Sequence, residues 1–280
     1  MELINISLEQ GLIFSILAIG IFITYKILDF PDLSVEGTFP LGAFIFAKFA
    51  VLGCEPIVST IFAFIFGMLA GLITYLLYIK VRIAPILSGI LTMTMLYSIN
   101  LRINGKANIP LYNYESIFDY GNTLVVLIVI VAIIKIVMDK FLKTEIGYLL
   151  IATGDNESVV KALGVNSNKL KALGLAISNG LVATSGALMG QNQGFADINM
   201  GTSIIVAGLA SIIIGDTIFK SLKKLKGTTR AIIGAISYKM IGGLAIEFGF
   251  APTDLKAISA FIVIGFIGYN NFAIFKRGDK

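Results

Sequence analysis

The feature that constrains this chain most is a succession of apolar runs, each about 20 residues long, separated by connections that hold most of the charge. A helix of about 20 residues, rising 1.5 Å per residue, crosses a hydrocarbon core of roughly 30 Å. Nine such runs can be read, over 11–29, 35–53, 57–79, 83–101, 122–139, 171–193, 200–219, 231–248 and 257–274. Lipid offers no partner to backbone N–H and C=O groups, so each run must satisfy its own. The expected fold is therefore all-α: a polytopic membrane helix bundle of eight or nine transmembrane helices in a single domain over 1–280. Only 14% of residues are charged, against about 25% in a soluble domain, too few to cover a water-facing surface.

The basic residues set an orientation. Of the 22 Lys and Arg, 15 lie in the segments 80–82, 140–171, 220–230 and 276–280, whereas the alternate connections hold only Arg102, Lys106 and Lys256. The excess marks the cytoplasmic side, which places the N-terminus outside and the C-terminus in the cytoplasm. The same pattern explains the net charge of +5 as a topology signal: no aromatic-interleaved basic patch points to nucleic acid. Met1–Asn5 carries no Lys or Arg and no cleavage pattern follows the first run, so that run is expected to remain as a helix.

Two runs are irregular. The second opens with Asp32-Leu33-Ser34-Val35-Glu36-Gly37-Thr38-Phe39-Pro40-Leu41-Gly42, and Gly37, Pro40 and Gly42 together predict a broken helix enclosed by protein. The seventh follows the polar stretch Gly190–Asp197, which leaves room for a re-entrant segment over 195–219. Glu36 admits two readings: a functional group in the membrane, or a carboxylate favoured by the helix macrodipole. Asn179 and Gln191, with Asn100 and Gln193, could line a polar path or join helices by hydrogen bonds. Gly174, Ser178, Gly186, Gly190 and Gly194 recur at fourfold spacing, interrupted only by Val182, a pattern for close helix approach, expected inside one subunit rather than at a subunit interface or moving gate.

Chemistry is constrained by absence. The chain has no His, no Trp and one Cys, which removes Ser–His catalysis, His-bound metal and an internal disulfide. No phosphate loop of the Gly-x-x-x-x-Gly-Lys-Ser/Thr type occurs, so the chain holds no such site for ATP hydrolysis. An intramembrane enzyme is disfavoured, and an ion-coupled secondary transporter remains the alternative to an ATP-driven one; that alternative favours ionisable residues at the midplane and matching halves.

The connection over about 140–170 is too long and too patterned for a turn. Asp155 can cap a short helix, Asn156 to Leu163, that ends at Gly164, and Val159, Val160 and Leu163 share one apolar face. A two-turn helix is unstable alone and must pack on the membrane domain, the lipid surface or a partner.

The stretches Thr144-Glu145-Ile146-Gly147, Ala152-Thr153-Gly154-Asp155-Asn156 and Ala162-Leu163-Gly164-Val165-Asn166, then Gly186-Ala187-Leu188, Gln191 and Gly194, resemble permease subunits of bacterial ABC importers. The group is that of branched-chain amino acid and ribose permeases. Asp32–Ala43 resembles its early motif, and Leu209–Asp216 resembles a tryptophan-type or uncharacterised branch. The resemblance covers about 33–216. It implies that Gly154, Asp155, Asn156, Ala162, Leu163 and Gly164 form a coupling helix and its turns, docking into a cleft of a separate ATPase subunit. A basic residue is common just before the Ala-Thr-Gly triplet in that group, and Ile151 stands there in this chain. The implied partners are that ATPase, an extracytoplasmic substrate-binding protein, the lipid membrane and a second permease, identical or a paralogue. No cofactor is expected on this chain, ATP being used by the partner, and the implied solute is an amino acid or similar. The expected location is the bacterial inner or plasma membrane.

Overall fold

A computed structural model describes residues 2–219 and 225–250, with isolated positions between 254 and 268. Helix α1 (Glu2–Phe22) continues through a π-helical turn at Ile23–Ile27, and α2 is Val35–Val51. α3 (Pro56–Tyr75) ends in a second π-helical turn, Leu76–Lys80, before α4 (Pro85–Asn104). Strand β1 (Asn108–Pro110) precedes α5 (Thr123–Phe141), α6 (Glu145–Asp155), α7 (Glu157–Ala162) and α8 (Ser167–Gln193). Strand β2 (Phe195–Asp197), α9 (Ile204–Ile218) and α10 (Gly227–Glu247) follow. Proline opens α3 and α4 at the first helical position, where its missing N–H costs nothing.

Five segments, Leu3–Ile27, Pro56–Lys80, Pro85–Asn104, Ser167–Gln193 and Ile198–Ile218, are long and apolar enough to cross a membrane. The ninth apolar run, 257–274, lies outside the described residues apart from isolated positions.

α8 is the axis of the bundle. Its 27 residues span about 40 Å, and α1, α2 and α3 pack along it. The fourfold stripe does this work within the subunit: Gly174 meets Leu28 and Leu150, Gly186 the backbone of Phe39, and Gly190 Ala43. Ser178 Oγ donates to the Gly20 carbonyl at 2.7 Å. From the other side, Gly67 and Gly71 let α3 lie on the α8 backbone at Asn179 and Leu175. The periphery is apolar: α3 exposes Ile57, Ile61, Ile65 and Leu69, and α5 exposes Val125, Ile128, Val129, Ile133, Ile136 and Val137. Such continuous apolar surface faces lipid.

The expected break inside α2 is absent: the helix runs unbroken from Val35 to Val51. Pro40 removes one hydrogen bond, that to the Glu36 carbonyl, and one lost bond does not end a packed helix. The irregular backbone lies earlier, over residues 28–34, where Phe30, Asp32 and Ser34 are buried while Asp29 and Pro31 are exposed. Beyond α8, Gly194 takes a left-handed conformation (φ 76°) and the chain enters β2. β2 pairs antiparallel with β1, Asn108 opposite Asp197, before a 3-10 turn at Ile198–Gly201.

Candidate functional site

Two regions carry the residues singled out by the sequence. The first is the α6–α7 segment. Thr144 caps α6 through its side chain, which accepts from the Gly147 N–H at 3.2 Å. Gly154 then presses on the chain just after α1, where a methyl group would overlap the Ile27 carbonyl. Asp155 is the last residue of α6 and not the cap of α7. That role falls to Asn156, whose Oδ1 accepts from the Ser158 N–H at 3.1 Å. The residue with extended backbone (φ −159°, ψ 96°) is the one whose side chain can reach the free amides, which corrects the assignment to Asp155. Gly164, at φ 76°, closes the turn after Leu163 in the left-handed conformation expected of it.

The three apolar residues of α7 do not share one face. Val160 is fully buried against the membrane domain, while Val159 is 51% and Leu163 67% exposed. Residues four apart lie together on a helix, so Val159 and Leu163 form one outward ridge and Val160 the anchor beneath it. Ala162 is exposed beside them, and Ile146 and Tyr148 add to the apolar surface on α6.

Electrostatics fix the segment further. Glu157 receives Lys171 at 2.8 Å, Lys161 at 3.0 Å and the Ser167 hydroxyl at 2.8 Å. The Lys171 ammonium, first among these partners, holds the Glu157 carboxyl down at about 2. Lys171 also lies 5.3 Å from the centre of the Tyr78 ring, itself edge-on to Phe30. An ion pair therefore ties α7 to α8 although Ile151 offers no charge. Sequence reading missed Glu157 and Lys171; the only local signal was the Glu157–Lys161 spacing of four.

The second region is a cavity of about 390 Å³ between α2, α4 and the turn at Ile198–Gly201. Glu36, Gly37 and Pro40 line it, with Tyr97, Ser98 and Asn100 of α4 opposite. Gly37 permits the approach, its missing side chain leaving room for Met93 and Leu96. Gly201 packs on the Glu36 carbonyl that Pro40 leaves without its helical donor. Met93 and Asn100 lie about 12 and 22 Å along α4, and the cavity extends from there to the exposed Asn199.

Gly42, Asn179 and Gln191 lie elsewhere. Gly42 lies on the Ala183 backbone in the α2–α8 seam. Asn179 is fully buried and joins α8 to the irregular stretch before α2 and to α2 itself: its Nδ2 donates to Asp32 Oδ2 at 2.7 Å, and its Oδ1 accepts from Thr38 Oγ1 at 2.7 Å. Asp32 Oδ1 accepts from the Ser34 amide at 2.9 Å and hydroxyl at 2.5 Å. Gln191 donates to Thr60 Oγ1 at 3.2 Å and accepts from the Ile117 N–H at 3.0 Å. Both amides therefore join elements, with their hydrogen bonds already used.

A bundle of apolar helices with a cavity on its flank, and with a short anchored helix presenting an apolar ridge at one end, fits a membrane permease. The chain belongs to the family described as the permease component of the branched-chain amino acid transport system, which it matches over residues 3–268. It is 48% identical to a tyrosine transport system permease protein of Clostridioides difficile (strain R20291), covering 95% of this chain and 91% of that one. It is 36% identical, over the whole of both chains, to the uncharacterized protein RP368 of Rickettsia prowazekii (strain Madrid E). A ribose import permease protein, RbsC of Haemophilus influenzae (strain ATCC 51907 / DSM 11121 / KW20 / Rd), is 26% identical over 93% of this chain and 79% of its own. No solved structure matches the chain. The chain is thus a transport permease of the membrane, of the importer class.

Proposed function

We propose that this permease imports an amino acid, tyrosine or a close analogue, driven by a separate ATPase that docks on α7. The observation that carries the reading is the division of α7: Val160 holds the helix to the membrane domain while Val159 and Leu163 stand free for a partner. A two-turn helix held on one side and apolar on the other is suited to pass force inward, and its neighbour Gly154 rests directly on the end of α1. The solute follows from the 48% identical tyrosine permease. The bias of Lys and Arg supports an N-terminus outside and a C-terminus in the cytoplasm, with eight or nine spans once α2, α5, α10 and the run 257–274 join the five segments that are long and apolar enough by themselves. An external binding protein delivers the solute at the opposite face, and a second permease subunit completes the path. In this reading Glu36, Gly37 and Pro40 belong to the path.

The test is reconstitution with the ATPase and binding protein in liposomes. ATP-dependent uptake of labelled tyrosine, lost when the ATPase is omitted, is the expected result. Uptake driven by an ion gradient without ATP would replace this reading by the ion-coupled one.

A further inference from the structure

A second cavity, of about 450 Å³, lies where the ends of α1, α5, α9 and α10 meet beside α6. Two carboxylates are shared there among four cations. Lys26 and Arg230 both bind Asp216, at 3.0 and 3.1 Å, and Lys226 and Lys135 both bind Asp139, each at 2.8 Å. Lys143 also lines the cavity, is exposed, and has no ion-pair partner among the described residues. The described lining is therefore positive, with Lys26, Lys143, Lys226 and Arg230 set against Asp139 and Asp216. These pairs do not exhaust the donors, because an ammonium has three N–H groups and needs only one for its carboxylate. The side chains of Lys26 and Lys226 remain 46% and 50% exposed. α10 opens on the same cavity at Gly227 and Thr228 with no side-chain cap from Lys226, which adds the positive end of its dipole.

We propose that this cavity binds the phosphate headgroup of an anionic phospholipid from the leaflet on the α6–α7 side, its acyl chains lying along α5. A phosphodiester brings the negative charge that the surplus cations lack and oxygen acceptors for their free N–H groups. The surroundings favour a lipid over a soluble anion: Phe22, Leu142 and Ile151 wall the cavity, and α5 exposes Ile133, Ile136 and Val137 within two turns of Asp139. The cations thus stand where a lipid-facing apolar surface ends, at the depth of a headgroup. A zwitterionic lipid carries the same phosphate together with an ammonium that the surplus repels. The site goes beyond the transport reading and depends on neither the solute nor the ATPase.

Native mass spectrometry of the purified full-length permease in detergent counts bound lipid during titration with phosphatidylglycerol or phosphatidylcholine. The first phosphatidylglycerol should bind at least about tenfold more tightly than phosphatidylcholine, and Lys143→Glu should weaken it at least about fivefold, the scale of one basic residue facing an anionic lipid. Lys140→Glu makes the same charge change at an exposed position outside the described lining and should bind as wild type does. Equal binding of the two lipids, or equal loss in both variants, would overturn the site. Displacement of phosphatidylglycerol by millimolar inorganic phosphate would assign the cavity to a soluble anion and overturn the lipid. Loss of the ATPase by Lys143→Glu, with phosphatidylglycerol binding unchanged, would assign it to the protein partner instead. Lys143 is exposed and unpaired, so its variant should fold, and the comparison of the two lipids on the wild type needs no variant at all.

Discussion

Gly154 of α6 lies against the Ile27 carbonyl so closely that a single added methyl group would overlap the oxygen. The next residue, Leu28, fills the space left by Gly174 on α8. α6 thus rests on the foot of α1, with no flexible side chain of Gly154 between them, as expected in a close-packed interior.

Gly154→Ala should force these backbones apart at a cost of about 1–3 kcal/mol, the usual penalty of overpacking. The ridge on α7 is untouched, so the variant should still bind the ATPase while uptake per ATP falls. Parallel measurement of ATP hydrolysis and uptake in liposomes checks this, and an unchanged ratio would show that the contact transmits nothing.

The ridge and the cap of α7 separate by their effects. Leu163→Glu changes a residue that is 67% exposed, so the permease should fold and insert normally yet lose its ATPase, because a charge would be buried in the partner's cleft. Asn156→Ala should weaken association far less, costing about 1 kcal/mol in lost capping. Asp155→Ala, which leaves that cap intact, should do less still. Co-purification with the ATPase ranks the three.

Acid should loosen α7. The carboxyl of Glu157 is held at about 2, below its ordinary value of 4.5, by Lys171. A depressed carboxylate contributes stability that is present above its unfolded value and lost as pH falls toward the folded one, here from about 4.5 down to about 2. Hydrogen exchange of the α7 amides should quicken over that window in wild type. In Glu157→Gln it should already be fast at neutral pH and respond little to acid.

The α2–α8 seam should resist any added atom. Gly42→Ala and Gly186→Ala each drive a methyl group into backbone, at Ala183 and Phe39. Thermal stability in detergent should fall in both, each by about 1–3 kcal/mol. Gly105→Ala faces open space at φ 68°, so its cost comes from conformation alone and should stay near 1 kcal/mol.

Single-cysteine labelling fixes the orientation. A cysteine at Ser158 should react only from the cytoplasm, and one at Asn108 or Asn199 only from outside, in a background lacking Cys54. Both outer positions are exposed, unlike the fully buried Ala196 between them in the paired strands. Reaction of Ser158→Cys from outside in intact cells would reverse the topology.

Much of the architecture was legible because lipid imposes a one-dimensional rule: an apolar run of sufficient length becomes a helix whatever its neighbours are. The turns around α7 were legible for a local reason, since Gly164 and the polar residues at 155–156 bias only their own backbone. The facing of α7 was not. A two-turn helix has no fixed apolar side until something covers it, and here the membrane domain takes Val160 and leaves Val159 and Leu163.

The sequence by itself determined that the chain is a bundle of membrane helices, because composition and run length need no partner to act. Tertiary structure alone decided which buried polar groups are satisfied and which are not. Asn179 and Asn100 are the same residue type on apolar helices, yet Asn179 meets Asp32, 147 residues away, and is satisfied, whereas Asn100 donates to Gly37 and its oxygen is buried without a partner. Hydrogen bonding is a short-range, directional interaction, so its outcome depends on which distant backbone the helices bring within about 3 Å, and no local pattern encodes that.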